Sequence, residues 1–364
     1  MSRLDALAEA ARQRALFEAA GAVPVEADIL LPAETLLDLY GEDIRARAYV
    51  TADPLRGEMM LRPDFTVPVV QAHMENGAEP ARYTYSGPVF RKQEDDPDRP
   101  SEYLQVGVEI FDGANPAHAD AEVFCLIAQA LQPLGLRAAT GDIGILTAAV
   151  AGLTTSPERR AALTRHIWRP RRFRALLDRY SGALRMPKRR KALLERIARG
   201  DDLLAGIPQV GLRSADEIRA RLDLLVRDAE EPPITRAELD LLDQITGLKT
   251  NCAAALEALR DIAVDLASIQ PAVQRFADRL AALSEAGIDP VGLDFEGSFG
   301  RTSMEYYDGF VFGFMAPGRP DLPPVASGGR YDALTRILGR GKSIPAVGGV
   351  IRPEIALAVQ GAGR

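Results

Sequence analysis

Between about Ser156 and Ala286 the apolar residues of this chain recur with a helical period, and on both sides of that stretch they fall into short strand-like runs. The organisation reads as a β-rich core, a helical insertion, and a return to the β-rich core. The expected boundaries are 1–152 for the first part of the core, 153–287 for the mostly helical insertion and 288–364 for the second part. Strand texture marks Ala46–Val50, Glu58–Arg62, Arg82–Phe90 and Glu102–Phe111, and later Gly292–Phe295, Glu305–Phe314, Pro324–Ser327 and Ala346–Ile351. Helices are expected over Ser2–Ala20, Ala33–Tyr40, Ala119–Leu134 and Pro353–Val359, with Val23–Leu31 as a strand stopped by Pro32. The insertion begins strongly basic, from Arg159 through Lys191. Charge runs of this kind are commonly a solvated face.

Composition narrows the function. The 364 residues carry a formal charge of −7, a poor basis for gripping a long stretch of nucleic acid, which needs clustered Lys and Arg. A small anionic ligand held by one or two arginines stays compatible with that balance. Cys125 and Cys252 are isolated, so neither a disulfide framework nor a metal-ligand pair is expected. His73, His118 and His166 lack ligand spacing. Gly341-Lys342-Ser343 has the ending of a phosphate loop, but Arg336 stands where its first glycine belongs, and a strand follows it in place of a helix. There is no uncharged apolar run of 18 residues, and no signal-peptide core, so a soluble cytoplasmic chain is expected.

The informative residues cluster at strand ends. Asp64 and Thr66 in Leu61-Arg62-Pro63-Asp64-Phe65-Thr66 share one side if that segment is extended. Arg91 ends the run Gly87–Arg91, and a charged, Pro-rich loop follows from Lys92 to Ser101. In the return strand Gln105, Gly107 and Glu109 share one face, with Val106 and Val108 on the other. A glycine between two polar residues leaves room on that face for a ligand with N–H donors, such as an ammonium group or an imidazole. Tyr306-Tyr307 and Gly328-Gly329-Arg330-Tyr331-Asp332 add aromatics and a close backbone approach. Each fragment alone is an ordinary sheet face or core edge.

Taken in this order, the fragments resemble the catalytic domain of class II aminoacyl-tRNA synthetases, and within that class histidyl-tRNA synthetase, over roughly residues 1–150 and 288–358. The resemblance implies an α+β fold, an antiparallel sheet flanked by helices. The N-terminal helix and the Pro32-terminated strand resemble the class's first motif, which implies a dimer. Gly87–Glu109 resembles the second motif, in which the arginine matching Arg91 meets a phosphate or carboxylate. By the same resemblance Asp64, Thr66, Gln105 and Glu109 face the amino group and imidazole of histidine. Tyr307 and Tyr331 close the pocket, with Gly328, Gly329 and Arg330 as a supporting loop.

Four departures bear on activity. The third motif ends in Gly-x-Glu-Arg in the synthetases; here Arg352-Pro353-Glu354-Ile355 takes its place, and Ile355 cannot give phosphate a bidentate charged contact. Thr302 stands where a catalytic arginine is expected, with Arg301 one residue out and, on a strand, facing the other way. Gln93 and Leu104 replace the usual glutamate and histidine of the second motif. No anticodon-binding domain is expected after the core.

The family this pattern resembles is the regulatory subunit of ATP phosphoribosyltransferase, a non-catalytic synthetase paralogue. That resemblance implies no catalytic residue, cofactor or metal of the chain's own, L-histidine as allosteric ligand, and a short-form catalytic subunit as partner. It implies no tRNA and no membrane. Two other readings stand beside it: an active histidine-activating enzyme, which would catalyse ATP–pyrophosphate exchange, and a scaffold with a dead pocket, which would not bind histidine.

Overall fold

Val106, Val108 and Ile110 alternate with Gln105, Gly107 and Glu109, and the run Glu102–Phe111 forms a strand inside the main sheet, buried on both faces. The structure, a computed structural model, describes residues 2–40, 44–93, 99–206, 208, 211–301 and 306–362. Its strands are β1 (Val23–Pro24), β2 (Leu30–Pro32), β3 (Val50–Asp53), β4 (Gly57–Leu61), β5 (Ala81–Phe90), β6 (Glu102–Phe111), β7 (Arg137–Asp142), β8 (Lys249–Asn251), β9 (Asp294–Glu296), β10 (Phe310–Met315), β11 (Ala326–Arg330) and β12 (Ala346–Ile351). The main sheet runs β1-β5-β6-β12-β11-β10-β7-β9-β8. Its pairs are antiparallel except β1 with β5 and β7 with β9. Strands from the two ends of the chain therefore interleave: β12 lies directly between β6 and β11. The expected α+β architecture is present.

Helices Arg3–Ala19 and Pro116–Leu131 pack on one face of this sheet, and helix Gln270–Glu285 packs against Pro116–Leu131. Ile127 and Val123 of the middle helix meet β12 at Gly349. The valines of β6 point to this side, which leaves Gln105 and Glu109 on the opposite face. A second sheet, β2-β4-β3, closes its own small core with Leu31, Leu36, Ile44, Met60 and Val67.

Several element limits differ from the sequence expectation. Ala46–Val50 is not a strand: Ile44–Arg47 makes one helical turn, and β3 starts at Val50. Val23–Leu31 splits into β1, which joins the main sheet, and β2, which joins the small one. The strand expected over Glu305–Phe314 runs instead from Phe310 to Met315, and Thr302 and Glu305 lie outside the described residues.

The helical insertion also returns earlier than 287. Lys249–Asn251 pairs with β9 at the sheet's edge, and helix Gln270–Glu285 belongs to the core. Arg279 on that helix reaches Asp142 at 2.7 Å and Asp120 at 3.3 Å, all three side chains being buried. Within the insertion Arg159, Arg179 and Arg190 converge on Asp228, at 2.7, 2.9 and 2.5 Å. Part of the basic run therefore ties helices together. Among the described residues, the insertion is bonded to the region of the candidate site where Trp168 donates to the Tyr307 carbonyl at 3.3 Å and where Arg301 donates to the Ile167 carbonyl at 2.8 Å. No described helix is long and apolar enough to cross a membrane.

Candidate binding site

Glu109 on β6 is fully buried and accepts three hydroxyl donors. Thr66 and Tyr85 each lie 2.9 Å from its Oε1, and Tyr331 lies 2.5 Å from its Oε2. Burial raises the Glu109 pKa, the bonds from Tyr331, Thr66 and Tyr85 pull it back, and nearby Asp64 raises it; the balance is about 7. The hydroxyls come from separate elements: the helix Thr66–Asn76, strand β5, and the residue following β11, all meeting a carboxylate on β6.

The expected open space above Gly107 is filled. Tyr85 pairs with Gly107 across the β5–β6 ladder, and its ring lies over the glycine, 2.3 Å from where a Cβ would be. Phe65 stacks on Tyr85 with ring centroids 4.4 Å apart. Gly348 plays the same part for Glu109, whose Oε2 is 1.5 Å from a Cβ built at that position. Gly329 does so for the Tyr307 ring, at 2.9 Å. Glycines on β6, β12 and β11 thus let a tyrosine, a carboxylate and a second tyrosine lie flat on the sheet.

Asp64 and Thr66 are both buried, but not on an extended segment: β4 ends at Leu61, and Thr66 opens a helix in which Asp64 accepts the Val67 amide at 3.3 Å. Tyr331 and Tyr307 are buried beside Glu109 as a pair of aromatic walls, burial pushing the Tyr307 hydroxyl pKa up. Gly328, Gly329 and Arg330 form strand β11, not a loop. Alternation along it turns Gly328 toward Phe312 and Arg330 toward the helical side, where Arg330 pairs with Asp120 at 2.7 Å and Asp332 at 3.0 Å. Arg330 is therefore not part of the site. Arg301 does not sit on a strand: it is buried against Phe173 of the insertion. Ile355 packs on the core at the start of helix Pro353–Ala362, and Glu354 accepts the Leu104 amide at 2.9 Å.

The opposite end of the site is cationic. Arg91 follows β5, donates from Nε to the Pro63 carbonyl at 2.8 Å, and lies 5.9 Å from the Tyr103 ring centroid. Gln105 is 1% exposed and its Oε1, a buried acceptor, has no partner among the described residues. Across the ladder Ile351 pairs with Val106, which puts the next residue, Arg352, beside Gln105 and on the Gly348 face. Sequence reading misses Arg352 and Tyr85, and gives Tyr306 no role of its own. Arg352 donates to the Pro324 carbonyl at 2.7 Å and to Ser327 Oγ at 3.2 Å. Tyr306 packs edge-on to Tyr307 and Tyr331 at 4.9 and 6.1 Å. The signal for Arg352 and Tyr85 is the two-residue period of their strands. The site therefore offers carboxylates at one end, arginines at the other, and an amide acceptor and tyrosines in between. That polarity suits a small zwitterion with an aromatic or heteroaromatic part.

A family model described as histidyl-tRNA synthetase matches residues 4–225 and 212–354. A protein of Brucella anthropi named ATP phosphoribosyltransferase regulatory subunit is 32% identical over 355 residues, 92% of each chain. Its namesake in Brucella canis is 30% identical over 341 residues, 89% of each. Among solved structures, one from Bacillus halodurans, described as an ATP phosphoribosyltransferase regulatory subunit/histidyl-tRNA synthetase, superposes with a TM-score of 0.68 at 20% identity, covering 98% of this chain and 79% of that one. The histidyl-tRNA synthetase of Nostoc gives 0.65 at 16% identity, covering 99% and 72%.

Proposed function

This chain belongs to the family of ATP phosphoribosyltransferase regulatory subunits, carried on the histidyl-tRNA synthetase fold, and we propose that it regulates by binding histidine in the site around Gln105 and Glu109. Its role is regulatory, in histidine biosynthesis, and it is not catalytic by itself. The partner it would control is a short-form catalytic subunit, which joins ATP to phosphoribosyl pyrophosphate in the cytoplasm. Self-association as a dimer fits the same reading, and tRNA has no part in it.

The observation that carries the histidine reading is Gln105. A buried amide oxygen without a partner costs stability unless a ligand N–H completes it. Glu109 and Asp64 supply the negative end for an amino group or ring N–H, and Arg91 the positive end for a carboxylate. Occupancy changes the partner's activity if histidine binds one arrangement of the complex better than another, and a coupling of about 1–3 kcal/mol gives several-fold inhibition.

Calorimetric titration of L-histidine into the purified chain is the direct test, followed by assay of the complex with its catalytic partner with and without histidine. Saturable binding and histidine-dependent inhibition are expected. A chain that binds no histidine removes the reading in favour of a scaffold with a closed site.

A further inference from the structure

A second polar site lies where the insertion meets the core. Helices Pro170–Tyr180 and Arg236–Gly247 and the segment that follows β9 border a cleft of about 270 Å³. Phe173, Leu177 and Leu242 give it an apolar wall, and Arg301 is part of its lining. Arg301 is 5% exposed. Its Nε is used by the Ile167 carbonyl at 2.8 Å, and its Nη2 is buried with no hydrogen-bond partner among the described residues. The Phe173 ring, centred 4.9 Å from the guanidinium carbon, attracts the cation but supplies no negative charge. Among the described residues no carboxylate pairs with Arg301. The other charges lining the cleft, Arg174 and Asp243, lie 2.5 Å apart and cancel each other. One buried cation is left over, and burial depresses its pKa. Desolvating an unpaired guanidinium is costly, and the cost falls when an anion completes its fork of N–H groups.

We propose that this cleft binds a small monocarboxylate, with its carboxylate on Arg301 and its carbon body against Phe173, Leu177 and Leu242. One surplus positive charge matches one carboxylate, whereas a phosphate dianion would bring a second negative charge beside Asp243. The cleft is smaller than the about 300–1,000 Å³ of sites for drug-sized ligands, so the carbon body is short. The proposal goes beyond the histidine reading and does not depend on it. The two sites are nevertheless joined. Ile167, which accepts from Arg301, precedes Trp168, and Trp168 donates to the carbonyl of Tyr307, a wall of the Glu109 site. Trp168 is also the single tryptophan of the chain, so an anion entering beside Ile167 changes the field at the one indole that fluoresces.

The test is titration of sodium butyrate into the full chain, read by Trp168 fluorescence and by calorimetry. Butyramide serves as the neutral isostere, and sodium phosphate is compared at matched ionic strength. Butyrate is expected to saturate at millimolar concentration or below, and butyramide to bind about tenfold or more weakly, the scale of one charge-assisted hydrogen bond. Arg301→Gln should bring the two to within about threefold, and Arg301→Lys should keep part of the preference. Ser298→Leu, which fills the cleft and leaves the cation in place, should block butyrate. Thermal melts identify a variant that fails to fold, and the wild-type comparison and the remaining variants then decide. The proposal is overturned if butyrate does not bind, if butyramide or phosphate binds as well, if the preference survives Arg301→Gln, or if binding survives Ser298→Leu. Displacement of butyrate by saturating L-histidine also overturns it, because the carboxylate then sits beside Gln105. A chain that binds butyrate and no histidine removes the histidine reading alone.

Discussion

Tyr331 donates its hydroxyl to Glu109 across 2.5 Å, although 222 residues and the whole helical insertion separate them in the chain. Strand β12 lies between the strands that carry them, and its Gly348 is what allows the carboxylate to lie against the sheet. The site cannot form until both ends of the chain are in one sheet. Its chemistry then depends on how a buried carboxylate is kept satisfied.

Glu109 should make stability depend on pH. Its folded pKa of about 7 lies above the ordinary 4.5, so the folded chain takes up the proton more readily than the unfolded chain. The stability this proton confers is full below about pH 4.5, falls as pH rises, and is gone above about pH 7. A glutamine carries no charge to bury. Glu109→Gln should therefore gain on wild type by up to about 3 kcal/mol at pH 8, with the advantage closing toward pH 5. Denaturant unfolding at the two pH values measures it, and a gap that does not move with pH contradicts the assignment. The same substitution should weaken histidine binding by about 1.5–3 kcal/mol if the carboxylate accepts a charged donor.

The glycine floor makes a second prediction. A Cβ at position 348 would meet Glu109 Oε2 at 1.5 Å, and one at 107 would meet the Tyr85 ring at 2.3 Å. Neither neighbour can swing clear without abandoning hydroxyl bonds to Glu109 or the Phe65 stack. Gly348→Ala and Gly107→Ala should each cost about 1–3 kcal/mol or more by overpacking. An unchanged denaturation midpoint for either would show that the sheet gives more than this packing allows.

How far the sequence reveals this site follows from what is local. Alternation in Glu102–Phe111 is a property of one strand, and it places Gln105 and Glu109 on one face, as the structure has them. The same alternation separates Arg330 from Tyr331, and applied there it takes Arg330 out of the site; applied to β12, it puts Arg352 in. Tyr85 over Gly107 is less accessible, because it depends on the register between two strands joined by an eleven-residue connection. Strand β8 is three residues, Lys249-Thr250-Asn251, with no apolar alternation to mark it. Its place is set by its partner β9 and by the Cys252 amide bonding to the Leu293 carbonyl at 2.8 Å.

Arg279 links the end of the helical region to the core, and its removal should be costly. Its guanidinium bonds Asp142 and Asp120 and lies 4.3 Å from the centre of the Phe310 ring. Asp120 keeps Arg330 as a partner when Arg279 is lost, whereas Asp142 is left with the Gly144 amide. Arg279→Met should destabilise the chain by about 3–5 kcal/mol, the usual cost of stranding a buried charge. Adding Asp142→Asn should recover a substantial part, and a double mutant no better than the single would show that the loss is one of packing around Phe310.

The basic run of the insertion divides into arginines that are committed and arginines that are not. Arg171 and Arg172 are exposed on helix Pro170–Tyr180, while Arg159 and Arg190 are largely buried against Asp228. Burial raises the Asp228 pKa, but hydrogen bonds from Arg159, Arg190 and Arg179 overcome it and leave the carboxyl at about 2, below the ordinary 3.8. A depressed carboxylate stabilises the folded chain above its unfolded pKa, and the contribution is lost as pH falls from about 4 toward 2. Asp228→Asn should thus cost about 2 kcal/mol at pH 7, with the difference from wild type narrowing on acidification. Reversing Arg171 and Arg172 to glutamate should move stability by about 0.5 kcal/mol or less. Any effect of that reversal on assembly with the catalytic partner, seen as a changed salt dependence, would then belong to the surface and not to the fold. If the reversal destabilises the chain as much as Asp228→Asn does, the exposed arginines are structural after all, and the division fails.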